Sequence, residues 1–293
     1  MIKRLYGMKN IKRILVGIDV FDRSNAVLKR AFMLAKEHNA SLTIVYAVQV
    51  PWLSVPSYFT SDALGVDREG IQKKLEKKIK ISKVSAKVPY TFFIKEGNTD
   101  DIILYEAKLI KAELIIIGAH SKSKGLKKLL GTTAQKIAYK SHLPLLVVKK
   151  NVNKRYQNIL VPTDFQRESS ESVKYVKQLC PDTKISAVHS SETIYLGGPY
   201  TIEGLDVVEY NVIAKKYARI DLKIFMKEHS IKKGKIIDGG LNSKEALIKY
   251  IRKGSYDLVV IGSRSTSGLN ALLGSVASAL LKDSPTDILV YVP

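Results

Sequence analysis

A chain of 293 residues with 45% apolar and 26% charged side chains can bury a full core and holds material for about two domains of ordinary size, which excludes the disordered class. No run approaches the roughly 18 uninterrupted apolar residues of a membrane span, and the apolar run Ile14 to Ile18 stops at Asp19, too short for a secretory leader, so the expected compartment is the cytoplasm. A single cysteine, Cys180, excludes an internal disulfide and a clustered-cysteine zinc site, while 48 basic against 27 acidic residues, net +21, favours anionic partners or a lysine-rich solvated surface.

The charge is uneven, with 28 basic and 12 acidic side chains in residues 1–150 and 20 and 15 in residues 151–293. In chain order, β-branched runs predict strands near 11–18, 41–48, 90–95, 114–118 and 144–149, with helical patterns between them. Residues 24–38 carry Ala26, Val27, Ala31, Leu34 and Ala35 at helical spacing, interrupted by Arg30, and Ser24 can cap their start. Over 68–87, Ile71, Leu75, Ile79 and Val84 recur among lysines, predicting an amphipathic helix with a basic outer face. A third helix starts from Asn98, Thr99 or Asp100 and runs to about Lys111. The alternation then resumes, with strands near 157–162, 183–189, 234–238, 257–261 and 286–292 and helices from about Glu168, Glu203, Ser243 and Gly274.

The second half repeats the first. Ile14-Leu15-Val16-Gly17-Ile18-Asp19 is answered by Ile159-Leu160-Val161-Pro162-Thr163-Asp164, Glu113 to Gly118 by Asp257 to Gly262, and Gly131-Thr132 by Gly274-Ser275. Landmarks in one order predict two copies of one domain, 1–150 and 151–293, joined near Asn151 to Arg155. The expected fold class is α/β, as two tandem doubly wound parallel five-stranded sheets with helices on both faces, Rossmann-like.

Chemistry is expected at the carboxyl ends of the strands, where open α/β sheets bind ligands. After the fourth strand, Gly118 leads into a loop with Ser121, Ser123, Lys122, Lys124, Lys127 and Lys128, and Gly131-Thr132-Thr133 opens a helix. The unpaired amides and positive dipole end of such a helix hold phosphate well. Asp19 follows the first strand, where a carboxylate either accepts from a ribose or an adenine amino group or caps the next helix. The aromatic and proline-bearing stretches Pro51 to Phe59 and Tyr195 to Tyr200 either border a ligand or cover the domain edge. No two histidines have metal-ligand spacing.

Taken together and found twice, these residues resemble the universal stress protein family. Its pattern is an Asp after the first strand, often as Pro-x-Asp, then Gly, two residues, Gly, nine residues and Gly-Ser or Gly-Thr after the fourth. Asp19 and Pro162-Thr163-Asp164 match the first element, as do Lys95-Glu96-Gly97 and Ala112 to His120 the family's supporting segments. The resemblance implies the adenine nucleotide alpha hydrolase-like fold and nucleotide contacts at Gly17, Asp19, Ala47, Ile117, Gly118, Ser121, Gly131, Thr132 and Thr133. In the second copy it implies Asp164, Ser190, Ile261, Gly262, Ser265, Gly274 and Ser275, with His189 like a histidine common in the family's second strand and Arg264 within reach of a phosphate. Both copies depart from the pattern with serine at the second glycine, Ser121 and Ser265, and the second copy holds eight residues between Ser265 and Gly274 where the first keeps nine.

The implied function is binding of an adenine nucleotide, ATP or AMP, in a stress-response or regulatory role, with slow ATP hydrolysis at most and Mg2+ bridged to the phosphates when ATP binds. The first copy, with its nine-residue spacing and lysines, is expected to be the tighter site. The alternative is a nucleotide-free interaction or regulatory module in which the glycines only turn the chain. The family also implies self-association through the fifth strands, Leu145 to Val148 and Ile288 to Tyr291, as an intrachain pseudo-dimer, with a homodimer left open. Specific nucleic-acid binding is disfavoured, because no strip of stacking aromatics accompanies the lysines.

Overall fold

The computed structural model describes residues 11–19, 24–48, 67–82, 87–119, 131–151, 154–193, 207–263 and 273–293. The chain divides into two units, Met1–Arg155 and Tyr156–Pro293. The first runs β1 (Arg13–Ile18), α1 (Ser24–His38), β2 (Ser41–Val48), α2 (Arg68–Ser82), β3 (Tyr90–Glu96), α3 (Thr99–Leu109), β4 (Leu114–Gly118), α4 (Thr132–Lys140) and β5 (Leu145–Val148). The second runs β6 (Asn158–Pro162), α5 (Arg167–Leu179), β7 (Lys184–Glu192), α6 (Val207–Glu228), β8 (Lys233–Gly240), α7 (Ser243–Lys253), β9 (Leu258–Gly262), α8 (Ser275–Asp283) and β10 (Asp287–Tyr291).

Within the first unit the strands lie in the order β3-β2-β1-β4-β5, and within the second in the order β8-β7-β6-β9-β10. Every neighbouring pair inside a unit is parallel. The order reverses between β1 and β4 and between β6 and β9, which opens a crevice at the carboxyl ends of those strands. Ile14, Leu15, Val16, Leu114, Ile115 and Ile116 are fully buried, as are Ile159, Leu160, Leu258, Val259 and Val260. Continuous burial of successive residues, in place of alternation, is the mark of a sheet covered on both faces. Burying each such side chain stabilises by about 1.5–3 kcal/mol.

Local chemistry fixes the register twice over. Glu113, just before β4, accepts from the amides of Lys12 at 2.7 Å and Arg13 at 3.1 Å; Asp257, just before β9, accepts from the amides of Gln157 and Asn158, each at 2.9 Å. One acidic side chain thus pins the start of each central strand, which explains why the duplicated motif begins with a carboxylate. Serine turns likewise lead into the fifth strands. Ser141 donates to the Leu143 carbonyl at 2.8 Å, and Ser284 accepts from the Thr286 amide at 3.2 Å.

Among the described residues the expected strands and helices are present, with two differences, at the ends of β7 and β8 and at Arg30. β7 and β8 run on to Glu192 and Gly240 because their pairing continues through Ser191 and Asp238 to an irregularity at Glu192, and polar residues there carry no strand signature. α2 is described to Ser82, with Leu75 and Ile79 buried, because residues 83–86 of its expected length lie outside the described set, and α6 is described only from Val207, because residues 203–206 do too. Arg30 does not interrupt the buried face of α1. It is 2% exposed and its Nη1 donates to the Lys154 carbonyl at 2.8 Å, while Arg155 pairs with Glu37 at 2.7 Å, so α1 holds down the end of its own unit.

In the second unit, Tyr156 Oη donates to Asp287 Oδ2 at 2.7 Å, with both residues buried. Tyr156→Phe removes a donor from a buried carboxylate, and urea unfolding should show a loss of about 1–3 kcal/mol; an unchanged midpoint would mean that the bond contributes nothing net.

Candidate functional site

Each central strand ends in an aspartate that the chain itself grips. Ser24 Oγ donates to Asp19 Oδ1 at 2.6 Å, and Ser169 Oγ donates to Asp164 Oδ1 at 2.8 Å, both across five residues. The Gln166 amide adds a second bond to Asp164 Oδ1 at 3.1 Å. One oxygen of each carboxylate is therefore held by the chain itself at the turn before the helix. Tyr46, opposite Ile18, has its phenol pushed up by burial first and then by the negative charge of Asp19.

Two strand glycines are explained by packing, Gly17 next to the end of β1 and Gly262 at the end of β9. A side chain at Gly17 would meet Ile103 Cδ1 at 2.6 Å and Ile117 Cγ2 at 3.1 Å, so the strand is bare there because α3 and β4 lie against it. At Gly262 the neighbour is backbone: Glu168 O stands 2.7 Å and its carbonyl carbon 2.8 Å from the Cβ position. The close approach expected of a ligand at Gly262 is made on that side by the first turn of α5.

Gly131 and Gly274 each stand at the start of a helix, as the sequence predicts. Gly131 caps α4 and Gly274 caps α8, each in an extended conformation and each without a side-chain cap hydrogen bond. The Gly131 amide donates to the Ala119 carbonyl at 2.7 Å. Thr132 and Thr133 open α4, and Ser275 opens α8. Uncapped first-turn amides are a ready anion site. Ala47 is the penultimate residue of β2 and is 9% exposed, and Ile117 is buried at the end of β4. Ser121, Ser265, His120, Arg264, the loop lysines from Lys122 to Lys128 and the aromatic stretches 51–59 and 195–200 lie outside the described residues.

In the second unit the expected residues meet. A cleft of about 410 Å3 is lined by Asp164, Ser190, Ile261, Gly262, Gly274 and Ser275 together, along with Val188, His189, Val276 and Ala277. Its size falls within the roughly 300–1,000 Å3 of small-molecule sites. His189 Nδ1 lies 2.8 Å from the Thr163 carbonyl, which can only accept, so Nδ1 is the donor; the ring stacks on Phe165, centroids 4.4 Å apart. Glu168 and Glu192 add carboxylates to that of Asp164, and the described lining holds no lysine or arginine.

Sequence reasoning missed Ser243 and Leu247, which α7 contributes to the same cleft. Ser243 Oγ and Ser190 Oγ are buried without a hydrogen-bond partner. Both point at one spot above Gly239, lying 2.6 and 2.7 Å from where its Cβ would be. Two orphaned hydroxyls thus flank a bare glycine and make a polar notch. The signal in the sequence was only Asn242-Ser243 after a glycine pair, a combination that reads first as a helix start. Among the described residues there is no cluster of His, Cys, Asp or Glu able to hold a metal, and no helix long and apolar enough to cross a membrane.

Comparison with known proteins gives a consistent picture. A model of the universal stress protein family matches residues 10–149 and again 155–292. A universal stress protein of Methanocaldococcus jannaschii is 30% identical over 148 residues, covering 49% of this chain and 85% of the relative. Among solved structures, a Pseudomonas aeruginosa PAO1 protein aligns at TM-score 0.67 and 19% identity over 98% of this chain and 94% of its own. A universal stress protein from Archaeoglobus fulgidus aligns at TM-score 0.65 and 16% identity, covering 97% of both chains. At those identities the structural likeness establishes the fold.

Proposed function

Since the chain belongs to the universal stress protein family, with two copies of the family's domain in tandem, we propose that it binds an adenine nucleotide, ATP or AMP, and works through the bound state in a stress-response or regulatory role. The observation that carries this reading is the cleft in which Asp164, Ser190, Ile261, Gly262, Gly274 and Ser275 converge beneath the uncapped start of α8. Val188 and Ile261 offer an apolar wall to a base, the Ser190 and Ser243 hydroxyls a polar edge, Asp164 an acceptor for ribose, and the first turn of α8 its amides for phosphate.

Three carboxylates line the second cleft, which favours a short phosphate tail there, as in AMP. The first copy carries Lys122, Lys124, Lys127 and Lys128 between Gly118 and Gly131, charge suited to a triphosphate and to the Mg2+ that accompanies it. A rival reading is supported by the intrachain bonds of Asp19 and Asp164, which give those residues a purpose without any ligand. It makes the protein a nucleotide-free interaction module.

Titration calorimetry with AMP, ATP and GTP separates the two. Saturable heat with AMP and ATP, weaker with GTP, supports binding. Gly131 and Gly274 have φ of −64° and −57°, open to any residue, so Gly131→Val and Gly274→Val should fold and each weaken its own site about 10- to 100-fold, the equivalent of about 1.5–3 kcal/mol for a charge-assisted hydrogen bond. No saturable heat with any nucleotide in the folded protein refutes the proposal and leaves the rival.

A further inference from the structure

The outer face of α6 is apolar where a solvated helix is polar. Tyr210, Ile213, Tyr217, Ile220 and Ile224 are between 42% and 61% exposed, and they follow one another at intervals of three, four, three and four residues. The opposite face, through Ala218, Leu222 and Phe225, is buried and packs on β7 and β8. The helix therefore has two apolar faces, and its own sheet occupies only one. The corresponding helix of the first unit, α2, is exposed at Lys73, Lys77 and Lys80, so the feature is particular to the second unit. Contiguous exposed apolar surface of this kind marks an interaction site.

Alternating three- and four-residue spacing is the a/d seam of a coiled coil. With Tyr210, Tyr217 and Ile224 at a and Ile213 and Ile220 at d, the flanking g positions hold Lys216 and Lys223, and the e positions hold Asp221 and Glu228, all exposed. In a parallel pair each g residue lies beside the e residue of the next heptad on the other helix, so Lys216 meets Asp221 and Lys223 meets Glu228 of the second copy, and two-fold symmetry doubles both pairs. An antiparallel pair in the same seam sets Lys216 against Lys223 and Asp221 against Ala214, so the lysines repel and the carboxylates find no cation. We propose that α6 is a self-association surface, which pairs in parallel with α6 of a second copy of this chain. The seam from Tyr210 to Ile224 spans about 21 Å at 1.5 Å per residue. Two heptads bury less than the roughly 1,200–2,000 Å2 of a standard stable interface, so the dimer is a reversible one.

Sedimentation of the full chain over a wide concentration range tests this. The expected result is a monomer–dimer equilibrium, weakened at least tenfold by Ile213→Lys with Ile220→Lys at unchanged melting temperature. Ile220→Cys places thiols across the axis of a parallel, in-register pair, and should give a disulfide-linked dimer on mild oxidation that Ile224→Lys suppresses. A wild-type chain that stays monomeric throughout overturns the proposal, as does a dimer indifferent to the double substitution, which would assign association to another surface. Binding of the monomer to phosphatidylglycerol vesicles through the same isoleucines, with no dimer in solution, overturns it in favour of a membrane contact.

Discussion

Gly262→Val is expected to unfold the second unit before it has any separate effect on a ligand. The Cβ position at Gly262 is 2.7 Å from a backbone oxygen and 2.8 Å from a backbone carbon of Glu168, and backbone in the first turn of a packed helix cannot rotate aside as a side chain can. Relief requires α5 to move off β9, disturbing the buried contacts of Val173 and Val176. Overpacking of this kind costs about 1–3 kcal/mol for the added methyl of alanine and more for valine. Gly17→Ala supplies the control, because its nearest neighbour is the terminal methyl of Ile103, the far end of a side chain that can turn where backbone cannot. Urea unfolding should therefore rank Gly262→Val, Gly262→Ala and Gly17→Ala in falling order of damage. A Gly262→Ala protein of full stability would show that the strand end is bare for a ligand and not for α5.

Ser190→Ala with Ser243→Ala should move stability and affinity in opposite directions. Both hydroxyls are buried and unpaired, and a buried group without a partner carries a desolvation cost of about 1–3 kcal/mol. Replacing the pair by methyl groups removes that cost in the ligand-free protein, raising its stability by about 1 kcal/mol or more. If the notch reads the edge of the bound base, the same change takes away two hydrogen bonds and weakens nucleotide binding by about 10- to 100-fold. Melting curves with and without AMP report both quantities in one experiment. A double variant that is less stable and binds unchanged would make the serines ordinary packing. Strain retained at a functional site is the reason for the expected trade.

The sequence made the fold legible because a parallel sheet buried on both faces leaves unbroken apolar runs, and because the chain states its pattern twice. Asp19 with Asp164, and Gly131 with Gly274, stand out only in that comparison. Legibility failed where a residue's neighbours come from a distant element. Nothing near Gly262 in sequence announces Glu168, and nothing near Ser190 announces Ser243, since both contacts depend on how α5 and α7 settle against strand ends. Arg30 looked like a gap in the α1 stripe because its partner is a carbonyl at Lys154, and backbone acceptors leave no trace in composition. The exposed seam of α6 went unread for a related reason: apolar residues on both faces of a helix register as a good core helix until burial separates them.

The proposed function requires the free amides at the start of α4 and α8 to hold the charged tail of an adenine nucleotide. A crystal structure of the full chain, soaked with AMP at saturating concentration, tests it most directly. The expected result is a purine between Val188 and Ile261 with its edge at Ser190 and Ser243, and phosphate oxygens within hydrogen-bonding distance of the amides of Val276 and Ala277. Clear density for the protein with no nucleotide in the cleft, and those amides taken up by the chain's own side chains, would contradict it.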